Sequence, residues 1–417
     1  MGTIHIHGGI PLQGQVRIQG SKNAVLPILA ATVLTEGTSL LIGCPRIADV
    51  YQMQMLLRSL NCSVRWEGER MRVTTGRVCS GRMPREAVTG MRSSLTLLGA
   101  LLGRCGQVFL ENPGGCVIGE RPIDLHVSAL EKMNVKFRQD GQSFYAYTEK
   151  LKGAEIELAC PSVGATENII LAAVLAEGCT VIQNAAAEPE ITALCAYLNA
   201  CGACIKGAGT SCIRIEGVKK LKGTEFKVPA DRIVAGTYLL ACMAAGGSVL
   251  LEGAPVEEME ALLELARKMG ACLQENCQGL YVQAPQRVQA IGRVKTAVYP
   301  GFPTDLQSQL LAVLAGAEGE TVVEETIFEN RFRIVPELLR MGAKVQVEDG
   351  RTVTVEGCES LRGTAVTAEE LRGGAALVIA GLKAVGETSV SGSKYIDRGY
   401  ENICRDLREL GARIYSV

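Results

Sequence analysis

The loop Pro113-Gly114-Gly115-Cys116-Val117-Ile118-Gly119-Glu120-Arg121-Pro122 sets three glycines and two prolines around one thiol. That composition predicts a mobile lid, and a cysteine on an exposed loop beside arginines ionises and reacts more readily than one in a core. Cys116 is therefore a candidate reactive thiol. Other polar residues recur at two kinds of place. One set precedes an apolar helix: Lys22-Asn23, Arg92-Ser93-Ser94, Ser162-Val163-Gly164-Ala165-Thr166, Asp231-Arg232, Thr304-Asp305 and Glu370-Leu371-Arg372. The other precedes an amphipathic helix: Asp49, Arg121 with Asp124, Glu188 with Glu190, Asn330-Arg331 and Asp397-Arg398. Helix N-termini present unpaired N–H groups and partial positive charge, so they receive phosphate and carboxylate groups readily. Arginine binds such anions in a bidentate fork. Arg92, Arg121, Arg331, Arg372 and Arg398, with Lys22, could together hold several anionic groups. Any one of the arginines could instead pair with an acid at a helix end; their recurrence favours a cleft between two similar domains, lined by helix ends.

The elements that carry these residues repeat. A helix, a glycine turn and a strand recur six times, with the glycines at Gly37, Gly106, Gly178, Gly247, Gly319 and Gly386, spaced by 69, 72, 69, 72 and 67 residues. A second landmark closes another helix at Asn61, Asn134, Gly202, Gly270, Gly342 and Gly411, at intervals of 73, 68, 68, 72 and 69. A period of about seventy residues marks a supersecondary unit used over and over. Each unit reads strand, helix, strand, helix and one or two further strands, as in Asp49 to Val73 or Ile334 to Val355. The first helices, such as Asn168 to Ala176, are apolar almost all round and should be interior; the second, such as Glu257 to Met269, are amphipathic. The chain is thus α/β. Six units most simply form two domains of three, with the boundary near Val228-Pro229-Ala230-Asp231.

The whole-chain properties exclude several functions. A length of 417 residues suits two domains, and 47% apolar against 21% charged residues suits a globular chain throughout. With 43 basic and 44 acidic residues there is no overall field to attract nucleic acid or an anionic membrane. The start, Met1-Gly-Thr-Ile-His-Ile-His-Gly-Gly, has neither the basic region nor the apolar core of a signal peptide, which predicts a cytoplasmic protein. The longest uncharged run, Ile233 to Leu251, contains Gly246-Gly247 and reads as a buried helix, a turn and a strand rather than a membrane span. Sixteen cysteines are expected as reduced thiols serving mostly as small apolar core residues. With three histidines and one Cys-x-x-Cys, at Cys201 to Cys204, no metal site is expected.

Six segments together resemble the enolpyruvyl transferase family, and within it the members that act on UDP-N-acetylglucosamine. They are Gly20-Ser21-Lys22-Asn23-Ala24, Pro113 to His126, Pro161 to Thr166, Gly301-Phe302-Pro303-Thr304-Asp305, Glu325 to Phe332 and Ile396-Asp397-Arg398-Gly399-Tyr400-Glu401. The resemblance runs from about Leu12 to Val417. It implies two inside-out, barrel-like α/β domains, each of three βαβαββ-type repeats, joined by a double hinge. Residues 20–229 would carry the Cys116 lid, and residues 1–19 with 230–417 would carry Asp305.

The same resemblance implies a chemistry: the sugar 3-hydroxyl adds to C2 of phosphoenolpyruvate while C3 is protonated, then phosphate and a proton leave, in the first committed step of peptidoglycan synthesis. Asp305 would take the hydroxyl proton. Cys116 would protonate C3, form a phospholactoyl adduct and be the thiol alkylated by fosfomycin. Lys22, Arg92, Arg121 and Arg398 would hold phosphoenolpyruvate and draw the lid shut, Lys22 and Arg398 counting with Cys116 and Asp305 as catalytic, with Arg331 and Arg372 completing a cationic wall. Asn23 and Asp305 would position the sugar, and Arg121, Pro122, Ile123, Asp124, Leu125, Ser162, Val163, Gly164 and Ile327 would line the nucleotide-sugar site. No cofactor, nucleic acid or membrane is implied, and a monomer is the expected state. The chain departs from the family pattern at Glu370, which stands for an aspartate, at Gly373-Gly374 for Ala-Ser, at Lys394-Tyr395 for Tyr-His, at Ser94, at Glu120 and at Arg333-Ile334. A nucleotide-sugar-binding paralogue without catalysis, a transferase for another acceptor, and the shikimate-pathway relative are the competing readings.

Overall fold

The residues that mark the repeat are places where the backbone turns left-handed. Gly37, Gly106, Gly178, Gly247, Gly319 and Gly386 have φ of +87°, +69°, +91°, +98°, +102° and +94°. The second landmark behaves alike: Gly202, Gly270, Gly342 and Gly411 have positive φ, and Asn61 and Asn134 adopt 67° and 71°. A Cβ makes this region costly for most residues, and glycine or asparagine ends helices there. The repeat is legible in the sequence because its corners admit so few residue types.

In the computed structural model the described residues are 2–76, 78, 81, 93–111, 123–140 and 143–417. They form a mixed α/β structure with six separate sheets of three to five strands and, among the described residues, no closed barrel. The repeat at residues 155–216 shows the pattern. Strand Glu155–Glu157 lies parallel to Cys179–Gln183, which pairs antiparallel with Cys212–Glu216, which pairs in turn with Cys204–Lys206. Helices Val163–Ala173 and Pro189–Ala200 make the crossovers. The sheet containing Gly292–Lys295 and Glu320–Glu324 has the same order.

Contacts divide the chain into two compact units, one of the described residues in 20–229 and one of those in 2–19 and 230–417. Each has its own apolar core. The N-terminal segment serves the second unit: Thr3–His7 pairs between Glu387–Ser391 and Arg413–Ser416, and Leu12–Arg17 runs parallel to Gly247–Glu252. In the first unit, Leu221–Lys222 and Glu225–Lys227 return to lie parallel to Thr35–Ile42. The two passages between units are tied on either side, Ser21 N–H to Pro229 O at 2.7 Å and Asp231 N–H to Gln19 O at 2.9 Å.

The all-apolar helices are interior, as their composition requires. Arg232–Ala245 is buried at every position from Ile233 to Ala244, and it packs with Gln307–Leu314 and Leu371–Lys383. The amphipathic helix Glu260–Lys268 buries only Leu262, Leu263 and Ala266. Two boundaries differ from expectation. The helix anticipated at 168–176 spans Val163–Ala173 because Ser162 caps it, and Glu257 belongs to a separate 3₁₀ turn, Val256–Glu258. The uncharged run 233–251 is a helix, a glycine turn and a strand, and among the described residues no helix is long and apolar enough to cross a membrane.

The cysteine expectation needs correction. All fourteen described cysteines are free thiols, but only Cys44, Cys62, Cys195, Cys201, Cys242 and Cys404 are buried, while Cys160, Cys204, Cys212, Cys272 and Cys277 are exposed. A thiol is small enough to sit on strand surfaces as easily as in a core. Burial pushes Cys44, Cys195 and Cys242 up to about 12, so these remain protonated.

Candidate functional site

The second unit brings three of the expected residues together, two arginines around one carboxylate. Asp305 stands in the 3₁₀ turn Thr304–Leu306 that opens helix Gln307–Leu314. Arg331 Nη2 donates to its Oδ1 at 2.7 Å, and Arg372 Nη2 donates to its Oδ2 at 2.9 Å. The arginine side chains are 2% and 4% exposed, against 27% for Asp305. Arg331 also donates from Nε and Nη2 to Thr304 O, at 3.3 and 3.2 Å, which locks it to the turn it neutralises. Burial alone would lower the proton affinity of Arg372; Asp305, Tyr400 and Asp231 outweigh it and keep the guanidinium charged. Pairing with an acid, the alternative allowed for any single arginine, is thus what Arg331 and Arg372 do, and the acid they share is the candidate base.

A second row of polar groups supports this cluster. Thr304 Oγ1 donates to Glu325 Oε2 at 2.9 Å, while Glu325 Oε1 accepts the N–H groups of Ile327 and Phe328 at 2.8 and 3.1 Å. Glu325 is fully buried, so the segment bearing Ile327 is fixed by a carboxylate with no exposure to water. Tyr400 is also buried and hydrogen-bonds Thr237 Oγ1 at 2.8 Å, which Gln309 Nε2 reaches at 3.3 Å. Arg398, in the turn after helix Ser393–Ile396, is partly exposed in the same unit. Glu325, Thr237, Gln309 and Tyr400 were not assigned a site role from sequence. The available signal was a polar residue inside an apolar segment.

The first unit holds the remaining described candidates. Ser21 caps helix Lys22–Ala31, accepting from Ala24 N–H at 3.3 Å, and puts Lys22 and Asn23 in its first turn. Lys22 Nζ lies 3.2 Å from Oδ2 of Asp49, whose side chain is 2% exposed at the start of helix Ala48–Ser59. Elsewhere in this unit, Ser162 caps Val163–Ala173 and leaves Ser162, Val163 and Gly164 partly exposed. Helix Asp124–Lys132 meets that turn: a Cβ on Gly164 would stand 3.3 Å from His126 Cε1. Asn168 Nδ2 reaches His126 Nδ1 at 3.2 Å and Gly164 O at 3.1 Å, and its Oδ1 accepts from Gly99 N–H at 2.7 Å. His126 is thus the residue of that helix that meets the turn at Gly164. Arg92, Cys116, Arg121 and Pro122 lie outside the described residues. Among the described residues no group of three or more His, Cys, Asp or Glu is arranged to hold a metal.

Glu167, further along the helix capped by Ser162, is buried; burial first, then Glu190 and Glu188, raises its pKa well above the carboxylate value of 4.5. Below that value both folded and unfolded chains carry the proton and folding is unaffected. As pH rises past it, only the unfolded chain ionises, so stability falls until the folded group ionises too. Glu167→Gln should therefore raise Tm at pH 8 by a few degrees, at about 2–4 °C per kcal/mol, and leave it unchanged near pH 4.5. Thermal scans at both values check this; an equal or lower Tm at pH 8 contradicts it.

The two α/β units of repeated crossovers, and in the second the two arginines gathered on a carboxylate at a helix start, can be set beside known proteins. The chain belongs to the enolpyruvyl transferase family: the model for EPSP synthase (3-phosphoshikimate 1-carboxyvinyltransferase) matches residues 6–407. It is 46% identical to the UDP-N-acetylglucosamine 1-carboxyvinyltransferase 2 of Caldanaerobacter subterraneus over 417 residues, all of both chains. It is 45% identical to the UDP-N-acetylglucosamine 1-carboxyvinyltransferase 1 of Halalkalibacterium halodurans, covering all of this chain and 95% of that one. Its fold matches the enolpyruvyl transferase NikO of Streptomyces tendae with a TM-score of 0.89 at 24% identity, over 100% and 99% of the two chains. An EPSP synthase of Acinetobacter baumannii gives 0.78 at 19%, over all of both chains.

Proposed function

We propose that the protein transfers the enolpyruvyl group of phosphoenolpyruvate to the 3-hydroxyl of UDP-N-acetylglucosamine, the first committed step of peptidoglycan synthesis. The observation that carries this reading is the Asp305 carboxylate gripped by Arg331 and Arg372, in a chain 45–46% identical end to end to relatives named for that reaction. The proton of the attacking hydroxyl passes to Asp305 as oxygen bonds to C2, and the Cys116 thiol delivers a proton to C3. The C2–O bond to phosphate then breaks, phosphate leaves with the electron pair, and C3 gives back a proton. Positive charge develops at C2, so carboxylates near it and cations around the phosphate favour the transition state.

In this reading Lys22, Arg92, Arg121 and Arg398 hold phosphoenolpyruvate, and Arg331 and Arg372 complete the cationic wall. Asn23 and Asp305 orient the sugar. Arg121, Pro122, Ile123, Asp124, Leu125, Ser162, Val163, Gly164 and Ile327 receive the rest of the nucleotide sugar; the hydrogen bonds of Asn168 to His126 and to Gly164 O support grouping two of these segments. Residues 20–229 and 1–19 with 230–417 act as the two domains. The reading carries a monomer in the cytoplasm, since both substrates are multiply charged and stay in the compartment where they are made.

The test is phosphate release from the purified protein with both substrates, with Cys116→Ala and fosfomycin-treated protein alongside. Release that both controls abolish supports the transferase and its thiol. Saturable binding of UDP-N-acetylglucosamine without release overturns it in favour of a binding paralogue or another acceptor.

A further inference from the structure

Helix Leu371–Lys383 is capped in an unusual way. The N-cap is Glu370, whose Oε2 accepts the Arg372 N–H at 2.7 Å and whose Oε1 accepts the N–H of Gly373. Serine, threonine, aspartate and asparagine are the usual caps, because their oxygens reach the first turn without folding the side chain back. Glutamate carries one more methylene, and its carboxylate must lie over residue 373. A Cβ built on Gly373 would stand 2.6 Å from Glu370 Oε1 and 3.4 Å from Cδ. Any side chain at 373 must therefore displace the Glu370 carboxylate from its present place over the helix start. Gly373 is not among the glycines with positive φ, so the backbone does not require glycine there; what a side chain would meet is the Glu370 carboxylate. A helical glycine costs up to about 1 kcal/mol relative to alanine, which the displaced carboxylate offsets by satisfying two N–H groups.

Between these two residues sits Arg372. Its own N–H is one of the two that Glu370 holds, and its guanidinium, buried and charged, reaches Asp305 Oδ2 at 2.9 Å. We propose that Glu370 and Gly373 are a matched pair of positioning residues, in which the long cap and the missing side chain together set the first turn that aims Arg372 at Asp305. The inference rests on the reading of Asp305 as the proton acceptor. A methyl group at 373 pushes the cap away; a shorter cap alone leaves a gap over glycine. Either change tilts the first turn and moves the guanidinium, and displacement by about 1 Å in such a site costs up to about a hundredfold in rate. Made together, the changes restore an ordinary short cap beside an ordinary helical residue.

The test is a double-mutant cycle of Glu370→Asp, Gly373→Ala and the double variant, read as kcat per binding-competent site and as Tm. Each single change is expected to lower kcat about tenfold, and the double variant to return within about threefold of the parent, the non-additivity expected of groups in contact. A device for stability alone would move Tm and leave kcat per folded site unchanged; that result, or losses in the double variant that simply multiply, overturns the proposal. Should Gly373→Ala fail to fold, recovery of folded, active protein by the double variant shows the same coupling, and failure of both overturns it. Asp305→Asn measured in parallel separates the two claims: full release by that variant overturns the reading of Asp305, whereas its loss with a multiplicative cycle overturns the pairing alone.

Discussion

Asp305→Asn should lose turnover by about a thousandfold, within the range of removing a general base, and should also lower the stability of the protein. The second half is the less usual result. Removing a catalytic charge commonly stabilises a fold, because active sites hold groups that folding alone would not choose. Here the carboxylate is the counter-ion of two guanidinium groups that are 2% and 4% exposed. Asparagine keeps the shape but leaves both charges facing a neutral amide, and breaking a buried pair from one side costs about 3 kcal/mol. Arg331 retains Thr304 O, whereas Arg372 Nη1 makes no hydrogen bond among the described residues, so Arg372 bears most of the loss. Phosphate release and chemical denaturation of one protein sample give both numbers. Turnover near the parent's removes Asp305 from the chemistry; lost turnover at unchanged stability shows that the arginines find other anions.

Much of this architecture was legible because it depends on residue types that cannot be exchanged. The six-fold period is a set of left-handed corners, and Asn61 and Asn134 fall in the glycine series because asparagine is the side chain that tolerates that backbone best. The inner helices announced themselves by having no polar face. The polar residues before them were legible as helix starts, and Ser21, Ser162, Asp231 and Glu370 prove to be side-chain caps. Partners across the chain were harder to see. Nothing local says that Lys22 meets Asp49, that Arg331 and Arg372 share Asp305 across 26 and 67 residues, or that Tyr400 reaches Thr237. Some of these pairings lie within one repeat and others, such as Tyr400 with Thr237, join different repeats, so sequence marks the positions and only packing joins them. Glu325 is the sharpest case: it is buried because two backbone N–H groups and Thr304 surround it, partners no local pattern names.

Lys22→Gln should raise the KM for phosphoenolpyruvate about a hundredfold, at the upper end of what a hydrogen bond to a charged group contributes, with a smaller effect on the KM for the nucleotide sugar. Lys22 occupies the first turn of a helix whose N–H dipoles already favour an anion, and Asp49, almost fully buried, holds the ammonium group 3.2 Å away. Glutamine removes the charge and with it the ion pair to Asp49. The variant should therefore also lose stability, by about 1 kcal/mol, the scale of one hydrogen bond removed from a nearly buried carboxylate. Asp49→Asn separates the two effects. It keeps the lysine charge and releases its tether, so its KM should rise far less. Lys22→Arg is not expected to restore the parent, because a planar fork cannot sit where a compact ammonium does. Initial rates of phosphate release at varied phosphoenolpyruvate, run on all three variants, decide the matter. A KM unchanged in Lys22→Gln would leave Lys22 as a structural partner of Asp49 and move phosphate binding to the arginines.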